Sequence, residues 1–130
     1  MLTGVSMRFA RLAACFAAFA ILISIFGEAD AAGALATGRC GAFGYSIDDA
    51  SPEAASVRAR AQCKGRDCKV VTSFRRTCAA FAIDSANVCG PHAWARADNL
   101  ARAQNIASEQ CHRHGGRACV IRAWACDAKG

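Results

Sequence analysis

The chain has 130 residues, 16 Lys+Arg against 10 Asp+Glu for a net charge of +6, and nine cysteines. That is chain enough for one small domain and excludes a large multi-domain enzyme. Only 8% of residues are aromatic while alanine is abundant, so the core has to be built from small side chains at close range.

Arg8 and Arg11 precede an apolar run from Leu12 to Phe26, and Ala29-Asp30-Ala31 follows with the small-x-small pattern that signal peptidase requires. The run is shorter than the roughly 20 residues needed to cross a bilayer as a helix. Residues 1–31 therefore read as a cleaved export signal, with Ala34-Leu35-Ala36 as an alternative cleavage site and no transmembrane helix in the mature chain. Leu12-Ala13-Ala14-Cys15 imitates a lipoprotein box but lies ahead of the apolar run instead of behind it. Cleavage after Ala31 leaves 99 of the 130 residues and removes Cys15. The remaining cysteines are Cys40, Cys63, Cys68, Cys78, Cys89, Cys111, Cys119 and Cys126. An even set on a chain bound for the periplasm or the extracellular space reads as a framework of four disulfides.

Residues 32–39 read as a short linker and the rest as one domain over 40–127, built from two copies of one unit at 40–77 and 78–126. Three blocks recur in order. Cys40-Gly-Ala-Phe-Gly matches Cys78-Ala-Ala-Phe-Ala. Ala55, Ala59 and Cys63 share the spacing of Ala103, Ala107 and Cys111. Gly65-Arg-Asp-Cys-Lys-Val matches Gly116-Arg-Ala-Cys-Val-Ile. Cys89, in the longer interval of the second copy, has no counterpart on this alignment.

Taken along the chain, Phe43 to Ile47 is a short strand bounded by turn residues. Ser51-Pro52-Glu53 opens a helix, with a hydroxyl cap, a proline at the first helical position and an early carboxylate. That helix runs to about Cys63, and Lys69 to Phe74 alternates as a strand. Cys78 to Ile83 is the next strand, and Pro91 to Ala95 supplies an extra hairpin strand. Asp98 opens a second helix to about His112, halted by Gly115-Gly116. Cys119 to Ala125 closes the chain as a strand. The expected fold is a small disulfide-stapled α+β domain. Its two repeats of strand-(strand)-helix-strand pack two alanine-rich helices on one antiparallel or mixed sheet. Proximity favours Cys63–Cys68 and Cys111–Cys119 as local bridges. Cys78–Cys126 with Cys40–Cys89 is one way of pairing the remainder, and spacing alone does not choose it.

The Cys-Gly-Ala-Phe-Gly-Tyr segment at Cys40, the alanine-rich helix ending in cysteine, Gly65-Arg-Asp-Cys-Lys-Val-Val and Cys78-Ala-Ala-Phe-Ala resemble the DUF4189 domain. That is a family of exported bacterial proteins, and the resemblance runs from about Cys40 to Cys126. Two departures stand out. The first copy shows only Ser46-Ile-Asp-Asp-Ala where an aromatic-and-glycine second strand is usual, and Cys89 replaces a glycine-rich turn. The resemblance brings no catalytic residues with it.

Cys111-His112-x-His114 with Cys119 offers two imidazoles and two thiolates of the kind that hold zinc or copper. Both cysteines, however, occupy the repeat positions of Cys63 and Cys68, which have no histidine beside them. No metal and no cofactor is expected. Nor is a cysteine nucleophile, since an even count in an oxidising compartment leaves no free thiolate. Asp48-Asp49 and Asp84 follow equivalent strands and form a conceivable acid–base pair, but aspartates at strand ends are usually turn residues. The positive charge is the remaining lead. Arg58, Arg60, Arg66, Arg75 and Arg76 in the first copy are candidate contacts for an anionic surface or an acidic protein partner, because guanidinium forks suit phosphate and carboxylate groups. Nucleic acid is not expected as a partner of an exported chain this poor in aromatics. The function read from the sequence is an exported, non-catalytic binding domain. The alternative is a small secreted enzyme, or an enzyme inhibitor with the Val88-Cys89-Gly90-Pro91 loop as its contact.

Overall fold

The structure, a computed structural model, describes residues 31–127; apart from Ala31, the segment read as an export signal lies outside the described residues, as does Cys15. The elements in order are β1 (Ala32–Thr37), a single 3-10 turn (Arg39–Gly41), β2 (Phe43–Asp49), α1 (Pro52–Gln62), β3 (Lys69–Phe74), β4 (Cys78–Asp84), β5 (His92–Ala97), α2 (Leu100–Arg113) and β6 (Cys119–Cys126). The strands form two antiparallel sheets of three, ordered β2-β1-β3 and β5-β4-β6. An α+β domain was expected; its one sheet is in fact two.

Alternation along the two central strands explains the arrangement. Ala32, Ala34 and Ala36 of β1 face Ala55, Ala59 and Cys63 of α1. Leu35, between them, points the other way into a cluster with Phe74, Phe81, Ile83, Ala123 and Ala125. In β4, Cys78, Ala80 and Ala82 face Ala103, Ala107 and Cys111 of α2, while Ala79, Phe81 and Ile83 meet Leu35. The two sheets therefore pack face to face with one helix on each outer surface. Four layers result, α1, first sheet, second sheet, α2, and both central strands are buried on both faces. A single sheet would have left Leu35 and Phe81 on an uncovered surface.

Three sequence readings need correcting at this point. Residues 32–37 are not a linker but β1, the middle strand of the first sheet, hydrogen-bonded on both sides. The first half therefore begins at Ala32, not Cys40. In its sheet, Cys78-Ala-Ala-Phe-Ala occupies the central-strand place that Ala32-Gly-Ala-Leu-Ala holds in the other. Leu35 lies opposite Tyr45 and Thr72, as Phe81 lies opposite Trp94 and Ala123. The likeness to Cys40-Gly-Ala-Phe-Gly came from one Cys and one Ala-Phe in the wrong register. Phe43-Gly44-Tyr45 lies in β2, which pairs with β1. Both outer pairings carry a register shift at the same place, between Leu35/Ala36 and between Phe81/Ala82.

Local signals set the helix ends. Ser51 caps α1 by accepting from the Ala54 amide at 3.1 Å, with Pro52 behind it. For α2 the cap is Asn99, accepting from the Arg102 amide at 2.9 Å, and not the expected Asp98. Asp98 instead lies 3.8 Å from Arg102 as an exposed i,i+4 ion pair.

The four bridges are Cys40–Cys89, Cys63–Cys68, Cys78–Cys126 and Cys111–Cys119. Each local bridge ties a helix end to the following strand. Cys78–Cys126 ties the first strand of the second sheet to its last. Cys40 lies in the β1–β2 turn and Cys89 in the β4–β5 loop, corresponding places in the two halves, so the apparently unmatched Cys89 has Cys40 as both counterpart and partner.

Helix α1 approaches β2 so closely that a Cβ on Gly44 would stand 2.2 Å from the Ala59 carbonyl oxygen and 2.5 Å from the Cys63 nitrogen. Gly44→Ala should therefore cost more than ~2 kcal/mol through overpacking against backbone that cannot yield. In a domain this size that is a fall of roughly 10 °C in Tm, measurable by calorimetry. The bridges should rank by the chain they close: about 4 kcal/mol lost for the double Cys78→Ala, Cys126→Ala variant against about 2 for Cys63→Ala, Cys68→Ala, read from denaturant midpoints.

Candidate functional site

The Cys63–Cys68 bridge closes a loop, Lys64 to Asp67, against the β1–β2 turn. The Arg39 amide donates to the Arg66 carbonyl at 2.9 Å, and a Cβ on Gly65 would meet the Ala42 methyl at 2.3 Å. Two tight segments are thereby docked on each other, and both carry arginine. Between them lies a cleft of about 550 Å³ lined by Arg39, Lys64, Arg66 and Arg122 together with the Gly41 and Gly65 backbone. Arg122 is fixed from the second sheet: its Nε donates to the Gly41 carbonyl at 3.3 Å and its guanidinium stands 5.5 Å from the Phe43 ring centroid.

Arg39 also borders an adjoining cleft of about 690 Å³ whose lining includes Arg60, Asp67, Lys69, His92 and Trp94. Six cationic side chains thus surround two neighbouring clefts in which Asp67 is the one lining carboxylate. It lies 3.9 Å from Arg39, with both side chains largely exposed, a pair worth little in water. Such a surface suits an anion with several oxygens, since guanidinium groups donate in forks to phosphate and carboxylate.

Of the arginines singled out in the sequence, only Arg60 and Arg66 reach these clefts. Arg58 is committed to Asp49 at 2.7 Å. Arg75 and Arg76 follow β3, in which Lys69 and Val71 border the cleft, so about 13 Å of strand separates them from it, and they hold interactions of their own. Sequence reading missed Arg39, Lys64, Lys69 and Arg122. Adjacency to cysteines could have flagged Arg39 and Lys69; nothing local marks Arg122, which is brought in by sheet-on-sheet packing.

The other candidate chemistry disperses. Cys111 and Cys119 are bonded to each other, His112 Nδ1 lies 2.9 Å from the Gly116 carbonyl oxygen and His114 Nδ1 2.8 Å from that of His92. Asp49 and Asp84 do not meet. Asp49 is buried at the end of β2, where the Ser46 hydroxyl and then the Arg58 guanidinium hold it below the ordinary carboxylate range against the opposing effect of burial. Asp84 ends β4 and accepts from the backbone amides of Ala86, Ala118 and Arg117 at 3.0, 3.2 and 3.3 Å. The Ala86 bond leads in depressing its pKa, and burial opposes. Both are structural carboxylates that tie loops and a helix to strand ends.

The class of protein is thus a four-layer, disulfide-bridged α+β domain with a basic cleft at one end. A family model described as a domain of unknown function (DUF4189) matches residues 32–126, and the chain belongs to that family. The match begins at the first residue of β1. No curated protein and no solved structure matches the chain.

The two depressed carboxylates give the stability a definite pH dependence. A folded pKa below the unfolded one, about 3.9, means stability that is present above that value and lost as pH falls through the folded pKa. Tm should therefore fall steadily as pH drops below about 4, and the Asp49→Asn and Asp84→Asn variants should each show a shallower fall. Thermal melts between pH 6 and 2 measure it.

Proposed function

We propose that this is an exported, non-catalytic binding domain whose target is an anionic surface, engaged through the clefts bordered by Arg39, Arg60, Lys64, Arg66, Lys69 and Arg122. The observation that carries this reading is the convergence of cations from five elements of the fold on clefts with a single carboxylate among their described lining residues. Export is supported by four disulfides, which persist in oxidising compartments, and by the N-terminal pattern of charge and apolarity. Among the described residues no helix is long and apolar enough to cross a membrane. The shared order of elements and the shared register shifts support descent of the two halves from one duplicated unit.

A charge-driven surface contact has a quantitative signature. Each Lys or Arg near an anionic lipid surface contributes about 1 kcal/mol. On vesicles of mixed phosphatidylglycerol and phosphatidylcholine, replacing Arg39, Arg66 and Arg122 together by Gln should weaken binding about a hundredfold. Raising salt from about 50 to 200 mM should weaken the parent protein as well, because screening shortens the reach of exposed charges. Arg75→Gln with Arg76→Gln should change little. Binding that tolerates salt, or that depends on Arg75 and Arg76 instead of the cleft, would reject this site. Sensitivity to an intact Cys89 loop with indifference to salt would favour the inhibitor reading.

A further inference from the structure

At the end of the sandwich away from the cleft, Asp127 follows β6 and is fully buried. Its Oδ1 accepts from the Asp48 amide at 3.3 Å and its own amide donates to the Thr77 carbonyl at 3.0 Å. Asp48 stands near the end of β2, and Thr77 lies three residues past the end of β3. In the first sheet β1 runs between those two strands, with Ala32 opposite Asp49 and Gly33 opposite Phe74. Asp127 thus bridges the end of β2 and the segment that follows β3, the two strands flanking β1, at the end of the sheet where β1 starts. Among the described residues its second oxygen, Oδ2, is buried without a hydrogen-bond partner, as is the Thr77 hydroxyl. The neighbouring Asp49 already has its cation in Arg58 at 2.7 Å. A buried carboxylate served on one oxygen alone is strongly unfavourable unless a cation joins it.

Ala32 is fully buried and is the first residue of β1. Cleavage after Ala31 converts its amide nitrogen into an ammonium. Cleavage at the alternative site after Ala36 would delete the strand that both β2 and β3 pair with. We infer that processing occurs between Ala31 and Ala32 and that Asp127 binds the α-ammonium it releases, with the Thr77 hydroxyl beside it. The hydrolysis adds water across the Ala31–Ala32 peptide bond, leaving a carboxylate on the departing segment and the ammonium on Ala32. The Cys78–Cys126 bridge, one residue before Asp127, holds the acceptor in place. Removal of the leader thus completes the native structure by supplying the counter-ion of a buried carboxylate.

This rests on the export reading, and two measurements on the protein exported from its full-length chain separate the two. Intact mass and N-terminal sequencing should give Ala32 as the first residue; a different first residue overturns the processing assignment. With Ala32 first, an amine-reactive reagent should label the α-amine of the folded protein at least tenfold more slowly than that of the reduced, unfolded chain. Equal rates would overturn the ion pair while leaving the export reading intact. Asp127→Asn should lower the Tm of the protein with a free amine. Against a chain acetylated at Ala32 while unfolded and then refolded, the same substitution should be neutral or stabilising, because the carboxylate then has nothing to pair with. Equal losses in both backgrounds would mean that Asp127 acts by hydrogen bonding alone.

Discussion

Everything in this fold depends on how closely each helix can approach its sheet. Fifteen of the 22 buried apolar residues are alanine, and they line both sides of each helix–sheet contact: Ala34 and Ala36 against Ala55 and Ala59, Ala80 and Ala82 against Ala103 and Ala107. A methyl group projects so little that helix backbone comes almost into contact with strand backbone, so that even a methyl added at Gly44 would stand 2.2 Å from the Ala59 carbonyl oxygen. Close approach has a thermodynamic consequence. Each alanine removes little apolar surface from water, and at roughly 25 cal/mol per Å² such a core gains less than one built from leucine and phenylalanine. The larger side chains, Leu35, Phe74, Phe81 and Ile83, are confined to the seam between the sheets.

The disulfides answer that weakness in different ways. Cys63–Cys68 and Cys111–Cys119 close short loops and fix where each helix hands over to the next strand. Cys78–Cys126 and Cys40–Cys89 close spans of 48 and 49 residues and so act on the unfolded chain far more. Cys40–Cys89 also joins the two halves through corresponding turns, a link that no apolar contact at the surface could replace. Three of the four bridges gather around the end that carries the cleft, where glycine turns and arginines leave little to bury. Covalent links hold the cations in place there without a packed core beneath them.

Much of this was legible in the sequence because the signals were local. A serine-proline-glutamate start, alanines every fourth position before a cysteine, and a glycine-arginine turn leading to another cysteine each point to one conformation by themselves. The first strand was not legible. Ala32-Gly-Ala-Leu-Ala-Thr has no strong β former beyond its threonine and a central leucine, and it adjoins the small residues expected around a cleavage site, so it read as linker. Its strand character comes from two neighbours pairing with it, a tertiary effect that propensity cannot report. The same omission displaced the repeat alignment and hid the equivalence of Cys40 with Cys89. The basic cleft was half legible for a related reason: Arg60 and Arg66 lie two or three residues from the paired Cys63 and Cys68, whereas Arg122 arrives from 81 residues beyond Gly41, the residue it touches.

The exposed cleft and the buried carboxylates at the far end are consequently built on opposite electrostatic terms. At the cleft end cations outnumber carboxylates, they remain solvated, and their mutual repulsion is tolerable because water screens it. At the other end Asp49 and Asp127 are buried, where each needs a specific partner and a mismatch is costly. Arg58 meets the need of Asp49 from within α1, so that partner is available as soon as the helix docks. No equivalent is seen at Asp127 Oδ2 among the described residues, and cleavage before Ala32 would charge a backbone nitrogen at the start of the strand between β2 and β3. A surface that awaits an external anion and a buried carboxylate that awaits an internal cation thus occupy opposite ends of one sheet. Of the two, only the second bears on whether the fold itself is complete.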